Sequence, residues 1–296
     1  MLASMRCRHV RRSLAAVAQR RGLRLAAINL SVTGDPLDNL KRAAQGISVA
    51  AAEGATIAAL PECFVGSYGV AHFEKWAEVL GGGFGGSAMM AEAARNEKIY
   101  VCGGIIEADE DAKRMFNTMV VYGPDGELAA KYRKVHLSRV MGITSESDVL
   151  APGNRPISFL CNDAAGDSYR VGLVCCFDLR FPRLLSAYGL DAPPTERADV
   201  LLAPSAFLDA TGRDHWELLC RRAALDTQTF VVAPNVAFRC DDAVPLHGRS
   251  MIVGPWGDIL GESEVEGDGV VVAEASRARL EEVRGKLPLA TAQAYP

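Results

Sequence analysis

Tyr169-Arg-Val-Gly-Leu-Val-Cys-Cys-Phe-Asp-Leu-Arg-Phe-Pro182 turns from apolar to polar within a few residues and carries two adjacent thiols at the changeover. The Val and Leu run between Arg170 and Asp178 is too short for an ordinary helix and suits a buried strand, with Cys176 at its C-terminal end. In open α/β sheets that end is where reactive groups are exposed. The segment alone also admits a plainer reading, in which Cys175 and Cys176 are small core residues, as most free cysteines are.

Two further segments bear on that choice. Ala55-Thr-Ile-Ala-Ala-Leu-Pro-Glu-Cys-Phe64 is an apolar run stopped by a proline and followed at once by Glu62. Leu128-Ala-Ala-Lys-Tyr-Arg-Lys-Val-His-Leu137 reads as a strand ending at Lys134. One charge at a strand end is ordinary solvation, but a carboxylate, an amine and a thiol at three strand ends form a set that covalent hydrolysis can use. The thiolate is the nucleophile, a carboxylate takes and returns the proton, and a fixed ammonium stabilises an oxyanion. No metal or cofactor is required.

Leu60-Pro-Glu-Cys-Phe64, Tyr132-Arg-Lys-Val-His-Leu137 and Cys176-Phe-Asp-Leu-Arg-Phe181 resemble, in order and spacing, the three signatures of the nitrilase superfamily of carbon–nitrogen hydrolases, and the likeness runs from about Leu23 to Leu287. Pro61-Glu-Cys-Phe, Ser67-Tyr-Gly and His215-Trp-Glu-Leu-Leu look most like its omega-amidase branch, which releases ammonia from short dicarboxylic monoamides such as 2-oxoglutaramate and succinamate. The resemblance implies a four-layer α-β-β-α sandwich, dimeric or larger. It also implies that Glu62, Lys134 and Cys176 are catalytic, with Glu146 in support and the Phe177 N–H as an oxyanion donor. Arg180 would bind the remote carboxylate, Phe207 would form an apolar wall, Thr211 would donate a hydroxyl, and Tyr68 would touch substrate. Read without the family, Glu146 is a solvated loop charge, Tyr68 an exposed loop tyrosine, and Arg180 a surface partner of Asp178 or Glu196. The sister branch that hydrolyses deaminated glutathione also shares the Arg-Phe-Pro and Pro-Ser-Ala-Phe segments. Phe177, Arg183, the stretch Asp191–Arg197 and the tail from Pro288 depart from the family pattern.

With 49% hydrophobic and 23% charged residues, the 296-residue chain can bury a full core. No linker, repeat or charge block divides 23–296, so one domain is expected. No apolar run approaches the roughly 20 residues of a membrane span. A net charge of −4 without a basic aromatic face argues against nucleic acid as the partner, and the family resemblance implies a small amide instead. Eight cysteines without a C-x-x-C pair fit neither a disulfide framework nor a structural zinc site. Residues 1–22 differ from the rest: they hold six arginines, two serines and no acid, and the first carboxylate is Asp35. That composition predicts a mitochondrial transit peptide or, failing that, a disordered start to a cytoplasmic protein.

Periodicity predicts strands at 23–30, 55–60, 99–106, 118–122, 128–133, 198–203, 230–233, 249–253 and 269–273, with helices at 36–53, 72–80, 87–97, 182–188, 213–227 and 276–286. Ser87 is the expected cap of the third helix. Gly81–Gly86 lacks the context of a phosphate loop and reads as a flexible turn, and 137–150 reads as irregular. Alternation of strands and helices gives an α/β layered domain. Two rivals to the carboxylate-assisted amidase remain: a thiol paired with His136 or His215 as in cysteine proteases, and a catalytically silent oligomeric binding protein.

Overall fold

Along the first strand, Leu23–Asn29 (β1), successive side chains enter two different cores, which is the alternation a strand buried on both faces must show. Leu23, Leu25 and Ala27 join a cluster with Val171 and Leu173, whereas Ala26 and Ile28 join one with Ala43, Ile47 and Ala50. A sheet with helices on one side and a second sheet on the other follows from that division. The computed structural model describes residues 22–111, 113–140, 144–237 and 244–291. The transit-peptide expectation for 1–22 therefore lies outside the described residues, apart from Gly22.

The remaining strands are β2 (Ile57–Ala59), β3 (Tyr100–Asp109), β4 (Arg114–Tyr122), β5 (Leu128–Arg133), β6 (Arg139–Val140), β7 (Thr144–Ser145), β8 (Ile157–Asn162), β9 (Ser168–Leu173), β10 (Val200–Leu202), β11 (Phe230–Ala233), β12 (Met251–Val253), β13 (Ile259–Glu262) and β14 (Gly269–Ala275). They form sheets ordered β14-β1-β2-β3-β4-β5 and β13-β12-β11-β10-β9-β8, plus the small hairpin β6-β7. Helices α1 (Pro36–Ala52) and α3 (Gly86–Glu97) cover the outer face of the first sheet through Ile47, Ala50, Met90 and Ala94. On the far side of the second sheet lies α5 (Asp209–Thr227), with Trp216, Leu219, Cys220 and Ala223 buried. The larger of these side chains, such as Ile47, Met90 and Leu219, each contribute about 1.5–3 kcal/mol on burial. The expected four-layer α-β-β-α sandwich is the architecture observed.

Several boundaries differ from expectation. The helix expected at 72–80 is only Phe73–Trp76 (α2), because the chain turns extended at Ala77 and the Glu78 N–H bonds to Ile106 O at 2.9 Å. Glu78 then does what was assigned to Ser87: its carboxylate accepts from the N–H groups of Gly86 and Ser87, both at 2.7 Å, and starts α3. Helix α5 begins four residues earlier than expected, which puts Thr211 in its first turn. Residues 182–188 form a helix only over Pro182–Ser186 (α4), and Arg277–Lys286 is α6. Edge strands β8 and β13 were not predicted; both alternate in exposure, and the second contains Gly261.

Strand direction places the chemistry. Strand β2 runs parallel to β3, and β3, β4 and β5 are successively antiparallel, so β2 and β5 point the same way and end at one edge of the first sheet. Strands β9, β10 and β11 are mutually parallel in the second sheet.

Candidate active site

Glu62 follows β2 and Lys134 follows β5, while Glu146 starts a short 3-10 turn after β7; all three side chains are fully buried. Gly104 allows this proximity, since a Cβ there would stand 2.7 Å from Glu62 Cα. Lys134 Nζ lies 2.7 Å from Glu62 Oε1 and 2.9 Å from Glu146 Oε2. The remaining acceptor capacity is also occupied. Asn117 Nδ2 donates to Glu62 Oε1 at 2.7 Å and to Glu146 Oε1 at 3.0 Å, the Ala206 N–H donates to Glu62 Oε2 at 2.8 Å, and the Ser138 N–H donates to Glu146 Oε2 at 2.6 Å. Buried charges persist only when paired and hydrogen-bonded in this way.

The pairing decides protonation. Burial alone would raise the Glu62 carboxyl, but the Lys134 charge and hydrogen bond, with Ala206 and Asn117, bring it below its ordinary value of 4.5. Burial would lower the Lys134 ammonium, and the charges of Glu146 and Glu62 instead hold it well above 10.5. Burial, followed by the negative charge of Glu62, pushes the Cys176 thiol well above 9.0 despite Lys134. A carboxylate, an ammonium and a protonated thiol therefore meet in one place at neutral pH.

Both adjacent thiols lie near Glu62: Cys175 Sγ donates to its Oε1 at 3.3 Å, and Cys176 is close enough for the Glu62 charge to act on its thiol. Access separates them. Cys175 is 0% exposed, whereas Cys176 is 6% exposed and lines a narrow cavity of about 20 Å³ with Tyr68, Phe177, Arg180, Phe207 and Thr211. Cys176 also adopts a φ of 45°, left-handed backbone that costs a non-glycine residue about 1–3 kcal/mol and is held by its surroundings. A larger cavity of about 240 Å³ lies beyond Tyr68 and is lined by Cys63, His72, Lys75 and Trp76, without Glu62, Lys134 or Cys176.

Arg180 is not a surface ion pair. Asp178 is occupied by Tyr132, His136 and the Cys175 N–H, and among the described residues Arg180 has no acidic partner. Its Nη1 is 3.2 Å from His215 Nδ1 and its Nη2 donates to Thr211 Oγ1 at 3.4 Å, with the Phe207 ring 5.2 Å away. Burial pulls the guanidinium below its ordinary value, partly offset by Cys176. Neither histidine pairs with a thiol: His136 Nδ1 lies 2.8 Å from Asp178 Oδ1 with its ring stacked on Phe181, and His215 meets Arg180. The protease-like arrangement is therefore not the one present.

Tyr68 and Glu146 depart from their plain sequence readings. Tyr68 is buried, and its hydroxyl lies 3.0 Å from Ser138 Oγ and donates to Glu146 Oε1 at 3.2 Å. Asn117 and Ser138 were missed by the sequence reading. An asparagine inside a mostly apolar strand, Phe116-Asn-Thr-Met-Val-Val-Tyr122, is the available signal for the first; Ser138 gives none.

The fold and these juxtaposed groups define a four-layer α-β-β-α sandwich in which a cysteine meets a buried carboxylate–ammonium pair. The carbon-nitrogen hydrolase family matches residues 14–285, and the chain belongs to it. Omega-amidase NIT2 of Homo sapiens is 37% identical over 270 residues, covering 90% of this chain and 93% of that one. The Mus musculus protein of the same name is 36% identical with the same coverage. Nit3 of Saccharomyces cerevisiae, a member of branch 10 of the nitrilase superfamily, superposes with a TM-score of 0.80 at 30% identity, covering 93% of this chain and 97% of that one. The protein is thus a nitrilase-superfamily hydrolase acting on amides, and the silent binding protein is set aside.

Proposed function

We propose that the chain is an omega-amidase that hydrolyses the terminal amide of small dicarboxylic monoamides, such as 2-oxoglutaramate and succinamate, through a thioester on Cys176. Glu62 accepts the Cys176 proton as sulfur bonds to the amide carbon. Lys134 and the Phe177 N–H hold the resulting oxyanion. The C–N bond breaks as nitrogen takes the proton from Glu62, and ammonia leaves. Glu62 then takes a proton from water, whose oxygen attacks the thioester; the C–S bond breaks and the thiol is restored. Glu146 keeps Lys134 charged and in place throughout.

The observation that carries the substrate class is the half-buried guanidinium of Arg180, which faces the Cys176 cavity with no acidic partner among the described residues. A desolvated cation of this kind favours a carboxylate, with which it can make charge-assisted bonds. Phe207 walls the aliphatic part of such a substrate, and Thr211 and Tyr68 complete the cavity. Comparing kcat/KM for 2-oxoglutaramate, succinamate and deaminated glutathione tests this directly, with the first two expected to be preferred. Arg180→Lys is expected to raise KM for succinamate by roughly tenfold or more, the scale of one charge-assisted bond, with little change in Tm. Unchanged kinetics in that variant, or a preference for deaminated glutathione, would overturn the substrate assignment and leave the amidase chemistry standing.

A further inference from the structure

We infer that Asp178 is a positioning residue that locks the nucleophile turn of one sheet to the lysine-bearing strand of the other. Asp178 is fully buried and accepts four hydrogen bonds. Its Oδ1 takes the N–H of His136 at 2.9 Å and faces His136 Nδ1 at 2.8 Å. Its Oδ2 takes the Tyr132 hydroxyl at 2.6 Å and the Cys175 N–H at 3.0 Å. Tyr132 and His136 are the residues two before and two after Lys134. One carboxylate therefore grips both flanks of the lysine and the residue preceding Cys176.

The need for such a grip follows from the backbone. Cys176 sits at a φ of 45°, and left-handed backbone at a non-glycine residue survives only where neighbouring contacts fix it. The Asp178 side chain holds the Cys175 N–H, while the Asp178 N–H returns a bond to Cys175 O at 3.0 Å and the Cys176 N–H is held by Pro204 O at 3.0 Å. Lys134 comes from the first sheet and Cys176 from the second, so their relative position depends on contacts across the sandwich. Asp178, with its two donors, supplies a direct one. The His136 ring, stacked on Phe181 at 3.6 Å, closes the arrangement on its solvent side.

Asp178→Asn changes little volume but puts an N–H where only acceptors fit. Whichever way the amide turns, it opposes either the Cys175 N–H or the His136 N–H. Measured per titrated active site, Asp178→Asn is expected to lower kcat for succinamate about thirtyfold or more while KM stays within about twofold, the pattern of a misplaced reacting group. Alkylation of Cys176 by iodoacetamide should slow in parallel, and because that reagent carries no carboxylate, this arm holds whichever amide is the substrate. Should Asp178→Asn fail to fold, the half-buried His136 carries the test. His136→Ala should lower kcat and the alkylation rate about three- to tenfold, and His136→Asn, whose amide can donate to Asp178, should recover most of both. Full kcat and alkylation per folded Asp178→Asn site with only a lower Tm would overturn the inference. So would a His136→Asn variant no better than His136→Ala.

Discussion

The charge cluster of Glu62, Lys134 and Glu146 and the Arg180 cavity lie on either side of Cys176, and they differ in how their charges are satisfied. In the cluster, each carboxylate faces the ammonium and takes further bonds from Asn117, Ala206 or Ser138. In the cavity, Arg180 leans on the His215 imidazole and the Thr211 hydroxyl. The first arrangement is complete before substrate arrives and is therefore preorganised for charge that develops during reaction. The second leaves a half-buried cation without an acidic partner among the described residues, and the proposed reading pairs it with the substrate carboxylate. On the proposed function, reactivity would reside in the first half and selectivity in the second.

The largest expected effect divides the adjacent thiols. Cys176→Ala should abolish ammonia release, whereas Cys175→Ala should retain much of it, because only Cys176 opens onto the cavity. Substantial turnover in Cys176→Ala would remove the thiol from the mechanism altogether. Next comes the cluster itself. Glu146→Gln leaves Lys134 with less compensation in a dry interior, so it should lower kcat by about 10²-fold and cost stability on the order of 3 kcal/mol in denaturant unfolding. A loss confined to KM would instead move Glu146 to substrate binding.

A smaller effect concerns pH and sharpens the contrast between the halves. Because the folded Glu62 carboxyl lies below 4.5, its stabilising contribution is present above that unfolded value and lost as pH falls through the lower folded one. Lys134, raised above 10.5, contributes stability below that value and loses it as pH rises through the higher folded one. The acid limb of kcat/KM should therefore have its midpoint below 4.5. No rise near the free-thiol value of about 8.5 is expected, since Cys176 loses its proton only in the act of attack. An alkaline activation near that value would mean that a free thiolate attacks without Glu62.

The sequence made the parts with strong local patterns legible. Runs such as Val171–Val174 and Ile57–Leu60 announce buried strands, and a thiol pair and Glu62 follow within two residues, as Lys134 follows the run 128–133; only the family register selects Cys176 over Cys175. What escaped depends on contacts far apart in the chain. Glu146 looks like a loop charge until Lys134 is seen beside it, Tyr68 looks exposed until Ser138 covers it, and Glu78 caps a helix across an intervening glycine turn. Asp178 is the clearest case: it sits inside the stretch that decides the fold, yet its role depends on Tyr132 and His136 arriving from the other sheet.

The most direct test of the account is to trap the acyl-enzyme with succinamate by rapid acid quench and map the modified peptide by mass spectrometry. The expected result is a succinyl thioester on Cys176, absent from Cys176→Ala and still formed by Cys175→Ala. A succinyl group on Cys175, or turnover with no covalent adduct on either thiol under single-turnover conditions, would contradict it.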